Sequence, residues 1–547
     1  MYFPPPFLYI TVLMLLTTSC SDSKKVTNDN AIEKLPYSQY DRDYDGLADK
    51  YESAFNLVVG KKDADKIFLD PLLAYQWYLQ NDRNSKRDTC LKIGVDINVS
   101  PVWRFTLGSK DVVVSVVDTG IDSAHEDIAI DRNKSYRYSD STHDPSPTIA
   151  QLYEDNSGSA HGTACAGIIG AKGWNARGIR GIAPNITLVG LNVFSKPEDS
   201  SFSDALQREG IDVSSNSWGA GGAHWLFDDR ISLEAIENGV KNGRQGKGTT
   251  YIFAAGNDSA NSNFQSILTS TYVIAVSAVD SDGKLENYSD FGSNILVTAP
   301  GGANDMTLSP AIATTDLIGL ENGMDRYDHH WDVALNSDGN YTNLMNGTSA
   351  ACPMVSGVVA LMLSVNKNLT YRDIQYILAT TATQNDANDL FWKKNAKGYS
   401  ISDKYGFGML NAGAAVKRAI SFKSLGHEYK VEKSYDTNVK IDTFNEIVLE
   451  ADIEESFYVT NVQLQLNTNH TNNGKLKITL ESPSGTQSLV AYGDTVLYNK
   501  YEPWTFLSVQ FLDEKSEGKW LLHIQDMGSE KSGALKEWSL IIRGYTK

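Results

Sequence analysis

Cysteine is scarce. Four residues, Cys20, Cys90, Cys165 and Cys352, are spread over 547 positions, too few and too far apart for a disulfide framework or a zinc ribbon. Positive charge is also in the minority, with 49 Lys and Arg against 67 Asp and Glu and a formal net charge of −18. That balance excludes nucleic acid or a polyanionic membrane surface as the main partner and suits calcium or cationic substrates better. The longest early apolar run, "FLYITVLMLL", is too short to span a bilayer. It has the size of a signal-peptide core. Internal repeats are absent.

What is present divides the chain into four parts, because a chain of this length exceeds one ordinary core. Residues 1–20 read as an export signal. "TTSC" after the apolar run resembles a bacterial lipobox with Cys20 as the lipidated residue, an ordinary secretory signal being the alternative. Residues 21–66 read as a polar linker containing "DRDYDGLADKYE". There Asp41, Asp43, Asp45, Gly46 and Glu52 fall at the spacing of a calcium-binding loop. Residues 67–420 alternate short β-branched runs, such as "DVVVSVV", "TYIFAA" and "YVIAVSAV", with helical segments and glycine turns. This is the pattern of an α/β domain with a mostly parallel sheet, whose ligands bind at the carboxyl ends of the strands. Residues 421–547 change to strict alternation. Val462, Leu464 and Leu466, then Leu476, Ile478 and Leu480 across an "NNG" turn, predict antiparallel strands, and later runs complete an all-β sandwich.

"NGTSAACPMVSGVVALML" puts Ser349 at the start of a long apolar helix. It reads either as a helix cap or as a nucleophile at the positive end of the helix dipole. A nucleophile needs a base and an orienting acid. Asp118 stands at the end of the strand "VVVSVVD", His161 opens "HGTACAGIIGA", and Asn257 ends "TYIFAAGN" with an amide able to donate to an oxyanion. The order Asp118, His161, Asn257, Ser349 in "DTGID", "HGTACAG", "AAGN" and "NGTSAACP" resembles the subtilisin-like serine peptidases. "DPLLAYQWYL", "NKNLTYRDIQYIL" and "YGFGMLNAGAAV", followed by a β-sandwich with "ESPSGT", resemble the kexin and furin branch with its jelly-roll-like P domain.

The resemblance implies a serine endopeptidase acting on peptide or protein substrates as a monomer. Asp118, His161 and Ser349 would form the triad, and Asn257 would serve as oxyanion donor. Ser217, Trp218 and Gly219 in "NSWGAGG" would bind substrate backbone and wall the first specificity pocket. It also implies a structural Ca2+ site, with side chains from Asp70, Asp127 and Asn175 and backbone oxygens from Lys172, Arg177 and Ile179. The acids that give the branch its preference for basic pairs are not in place: Thr119, Gly158, "GAGG" and Gln265 stand where they are expected. Strict dibasic cleavage is therefore not expected. Cys165 and Cys352, each one helical turn from a catalytic residue, are expected to be buried packing.

Overall fold

A computed structural model describes residues 70–81, 91–219, 226–303, 310–326, 336–443, 445–495, 497, 503–528 and 533–546. The expected signal run, Cys20, Cys90 and the calcium loop of Asp41, Asp43, Asp45 and Glu52 lie outside the described residues.

The β-branched runs form the strands they predict. β1 (Val113–Asp118), β2 (Tyr136–Arg137), β3 (Thr187–Asn192), β4 (Val213–Asn216), β5 (Thr250–Ala254), β6 (Val273–Val279) and β7 (Ile295–Pro300) make one sheet in the order β2-β3-β1-β4-β5-β6-β7. Every neighbouring pair is parallel. All six residues of β1 are buried, as expected of a strand with both faces covered by helices. The chain steps from β1 to β3 on one side and then crosses back to β4 on the other. The reversal falls at β1, the place where ligands bind in sheets of this kind, and Asp118 lies at its carboxyl end.

Two helices fill the layer over that end. His161–Gly170 is built from small residues, nine of its ten buried. Thr348–Val365 is buried from Thr348 to Leu363. It is long and apolar enough to cross a membrane, with a mean hydropathy of 1.7, yet it serves here as the core helix of the α/β layer. Two short hairpins, β8 (Ile312–Thr315) with β9 (Tyr341–Met345) and β10 (Lys393–Lys394) with β11 (Ser400–Ile401), flank the sheet.

After the helix Ala412–Ile420 the fold becomes all-β. β12 (Tyr429–Ile441), β19 (Gly533–Tyr545), β14 (Tyr458–Thr468) and β17 (Trp504–Ser508) form one antiparallel sheet in that order. β13 (Glu446–Ile453), β18 (Gly518–Asp526), β15 (Leu476–Glu481) and β16 (Gln487–Tyr492) form the other. The strands on either side of "NNG" are not hairpin partners, because β14 and β15 belong to opposite sheets. Asn473–Lys475 forms a 3-10 turn that carries the chain across the sandwich. Val462, Leu464 and Leu466 thus share one core with Leu476, Ile478 and Leu480, face to face instead of edge to edge. The sandwich is joined to the α/β layer by a common core: Leu507, Val509, Leu512 and Tyr545 pack into the cluster that holds Val116, Cys165 and Val355.

Candidate active site

Asp118 closes β1 with its side chain 1% exposed. One carboxylate oxygen accepts from the Thr119 N–H at 2.7 Å and lies 2.8 Å from His161 Nδ1. The contact suits an Nδ1–H donating to the carboxylate, the tautomer in which Nε2 is the accepting nitrogen. Burial works against charging this ring, but the charge and hydrogen bond of Asp118 outweigh it, and the His161 pKa is raised above its ordinary value. His161 is the first residue of its helix, which approaches the strand end closely because Gly162 has no side chain. A Cβ there would lie 2.2 Å from the Gly120 carbonyl oxygen and 3.0 Å from Asp118 Cβ. Thr119 ties the two elements together. Its hydroxyl donates to the Ser159 carbonyl and accepts from the Gly162 N–H, each at 3.1 Å.

Ser349 is the second residue of the helix Thr348–Val365 and is 8% exposed. It is not a cap: Gly347 occupies the N-cap position and no side-chain oxygen caps the helix. The Ser349 hydroxyl donates to the Ser217 carbonyl at 3.2 Å, and the Ser217 hydroxyl donates back to the Ser349 carbonyl at 3.0 Å. That carbonyl is available because Pro353, one turn on, has no N–H to give it. Cys165, one turn from His161, directs its thiol to the same carbonyl at 3.6 Å. The backbone of the hydroxyl residue is therefore held from the strand end and from the histidine helix at once. Its Oγ is turned to Ser217 and not to His161.

Asn257 follows β5 in a loop that meets the start of the same helix. Its Oδ1 accepts from the Thr348 N–H at 2.9 Å and the Thr348 hydroxyl at 3.0 Å, which leaves the amide N–H2 as donor. Thr348, absent from the sequence expectations, is what orients Asn257. Its only sequence signal is its place before Ser349. Asp290 was also missed. Buried to 2% exposure, it accepts from the backbone N–H groups of Asp258 and Ala260 at 2.9 and 2.8 Å and holds the Asn257 loop. Burial pushes its pKa up to about 7. Trp218 packs on Phe202 and Phe253, with ring centroids 4.8 and 5.2 Å apart. Gln265 stands between Gly219 and Gly256. A Cβ on Gly219 would meet its Oε1 at 2.6 Å, and a Cβ on Gly256 would meet its Nε2 at 3.1 Å. Cys165 and Cys352 are free and fully buried.

The other expected ligand residues also converge. Asp70 accepts from the backbone N–H groups of Trp174 and Asn175, both at 3.0 Å. Asp127 accepts from the Asn175 amide at 2.6 Å and from the Ile179 N–H at 3.1 Å. Arg177 N–H donates to Asn175 Oδ1 at 3.0 Å, and Lys172 N–H to the Asp127 carbonyl at 2.8 Å. The loop winds tightly through left-handed backbone at Trp174, Ala176 and Gly178, a conformation costing about 1–2 kcal/mol for each non-glycine residue. Asp127 is 0% exposed, and no cationic side chain pairs with it among the described residues. Burial pushes its pKa up to about 7. Two buried carboxyl groups and an amide oxygen gathered at one tight loop are hard oxygen donors, so the donor set fits a metal ion.

An acid, an imidazole and a serine hydroxyl thus lie at the carboxyl edge of a parallel sheet, with an amide facing the helix start, an arrangement expected of a serine peptidase. Residues 109–408 match the subtilase family and residues 459–542 the proprotein convertase P-domain. The chain belongs to the subtilase family, in its kexin and furin branch. It is 30% identical over 512 residues to neuroendocrine convertase 2 of Rattus norvegicus, covering 89% of this chain and 76% of the relative. It is 32% identical to human proprotein convertase subtilisin/kexin type 6, covering 87% of this chain and 49% of that protein. The crystal structure of a serine protease of Aeromonas sobria superposes with a TM-score of 0.80 at 26% identity, covering 87% of this chain and 96% of that one. The same protease is also known in complex with a chaperone.

Proposed function

We propose that this chain is an exported, calcium-stabilised serine endopeptidase in which Ser349 attacks the peptide carbonyl, His161 takes its proton and Asp118 holds the imidazole in the required tautomer. The observation that carries this reading is the 2.8 Å Asp118–His161 contact on a helix that also touches the Ser349 carbonyl. Attack converts the carbonyl to an oxyanion. Asn257 Nδ2 and the Ser349 N–H donate to it at the positive end of the helix dipole. His161 then returns the proton to the leaving amine, and water hydrolyses the acyl-enzyme by the same relay in reverse. The substrate lies extended along Ser217–Gly219, its first side chain entering the pocket beside Trp218.

An amide at Gln265 offers no negative charge to pair with lysine or arginine, so the pocket does not enforce cleavage after basic pairs. Calcium is the ion that suits hard oxygen donors of this kind. The side chains of Asp70, Asp127 and Asn175 would hold it, with backbone oxygens of Lys172, Arg177 and Ile179. It would supply the positive charge that Asp127 lacks. Asp41, Asp43, Asp45 and Glu52 supply a second candidate loop. Export rests on the apolar run before Cys20, with lipidation of that residue as the anchor.

The test is digestion of a randomised peptide library by the purified protein in calcium, with Ser349→Ala as control and cut sites read by mass spectrometry. Cuts that disappear in the variant support the peptidase, and the residues before them define the pocket. A folded protein that cuts nothing overturns it in favour of a binding role for the scaffold.

A further inference from the structure

Arg180 lies against the candidate calcium site without being one of its oxygen donors. Its Nε donates to Asp70 Oδ2 at 2.8 Å, and the side chain is 6% exposed. The guanidinium carbon sits 3.6 Å from the centre of the Trp174 ring and 5.1 Å from that of Trp103. Those two indoles meet edge to face at 5.5 Å. Space for the arginine stem exists because residue 173 is glycine. A Cβ there would lie 2.9 Å from Arg180 Cγ and 3.3 Å from its Nε. The Arg180 backbone N–H is fixed by Gln76 Oε1 at 2.7 Å. The cation is thus built into the fold by two aromatic faces, a missing side chain and a backbone anchor.

Its effect is to make the two carboxylates of the site unequal. Asp70 has a guanidinium in direct contact, whereas the Asp127 carboxyl group, equally buried, has an amide and a backbone N–H as its partners among the described residues. We propose that Arg180 is an internal counter-cation that shares Asp70 with calcium, so that the ion binds more weakly here, and the fold survives its removal better, than with a neutral residue at 180. The proposal rests on the calcium reading given above. Two cations on one buried carboxylate repel each other, and affinity at oxygen-donor sites follows the charge the ligands present. Coulomb repulsion between two cations sharing one buried carboxylate is enough for a change in calcium affinity on the order of tenfold or more. The coupling is reciprocal: calcium loosens the Arg180–Asp70 pair as much as the pair weakens calcium.

The experiment uses the full chain with Arg180→Gln, which keeps a donor for Asp70 but no charge, and Arg180→Lys, which keeps the charge. Terbium replaces calcium as probe, its luminescence sensitised by Trp174 and Trp103 beside the site, and competition with calcium gives the affinity. Thermal unfolding with and without a chelator gives a second readout independent of activity. Calcium should bind Arg180→Gln about tenfold or more tighter than the natural chain, and its Tm should fall further on chelation, with Arg180→Lys close to the natural chain on both counts. A glutamine variant that folds only when calcium is present counts for the proposal in the same way, and Arg180→Met repeats the test with a second neutral side chain. Equal calcium affinities in the natural chain and both neutral variants overturn the proposal while leaving the site standing. No calcium effect on any of these proteins, with terbium emission unchanged by Asp127→Asn, removes the calcium reading and the proposal with it.

Discussion

Two buried aspartates show what the α/β layer and its junction with the sandwich do differently with the same chemical group. Asp118 keeps one oxygen on Thr119 and His161, while its other oxygen is buried with no hydrogen-bond partner among the described residues. Asp513, 7% exposed at the domain junction, is saturated. Its Oδ2 accepts from the hydroxyls of Tyr376 and Tyr399, both at 2.9 Å, and its Oδ1 from that of Tyr545 at 2.7 Å. Burial raises the pKa of Tyr399 and Tyr545 above the usual tyrosine range, so these donors keep their protons across physiological pH. Asp513 is held by three phenol hydroxyls, whereas Asp118 faces an imidazole whose pKa it raises. A saturated carboxylate fixes a position, and an under-satisfied one facing an imidazole can answer a change of charge during a reaction.

The comparison breaks most visibly at the reacting end. Ser349→Ala should lower kcat/KM by about 10⁴-fold or more, since a triad acts as a unit, while the thermal midpoint moves little. A large loss of Tm would mean that the hydroxyl is structural. Asn257→Ala should cost about 10²–10³ in kcat, the range seen when the corresponding donor is removed from a subtilisin, with KM nearly constant because the charge it meets exists only in the transition state. At the junction the same size of insult should fall on stability. Asp513→Ala leaves the buried Tyr376 and Tyr545 and the half-buried Tyr399 without their shared acceptor and should cost about 3 kcal/mol, measured by chemical denaturation, with kcat per folded molecule unchanged.

Acid should separate the two sites again. His161 must be neutral to accept a proton, and Asp118 raises its pKa above the ordinary value. The acid limb of kcat/KM should therefore have its midpoint above the usual histidine value of about 6.5 and fall roughly tenfold per pH unit below it. The stability contribution has the opposite sense. A raised folded-state pKa stabilises the protonated protein at pH below the unfolded value, and this is lost as pH rises through the folded value. An acid limb at or below the ordinary value would break the assignment of Asp118 as partner of His161.

The elements that position the candidate residues were legible because they are local. "VVVSVVD" is a buried strand ending in an acid, and the motifs at His161, Asn257 and Ser349 are each a few residues long. What holds them was not legible. Ser217 Oγ bonds the Ser349 carbonyl across 132 residues, Arg180 bonds Asp70 across 110, and Tyr376 reaches Asp513 across 137. No periodicity or spacing links such pairs, since the sheet order and the docking of the sandwich decide them. The alternation in β14 and β15 revealed which face is apolar but not which sheet each strand joins. Edge-to-edge and face-to-face pairing ask for the same pattern.

The smallest expected effect tests the junction most finely. Tyr545→Phe removes one of three hydroxyls from Asp513, and the ring, 4% exposed, keeps its edge-to-face contact with Tyr376 at 5.9 Å. The carboxylate retains Tyr376 and Tyr399, so no charge is left unpartnered. The cost should be that of a single hydrogen bond to a charged group, about 1.5–3 kcal/mol at most and nearer 1 kcal/mol with two donors remaining. It should appear as a lower denaturation midpoint with an unchanged m value. Because burial holds the Tyr399 and Tyr545 hydroxyls above the usual tyrosine range, the loss should be the same at pH 6 and pH 8. A loss that varies over that interval would show that the junction senses protons, and the contrast between a fixed clamp at Asp513 and a responsive pair at Asp118 would no longer hold.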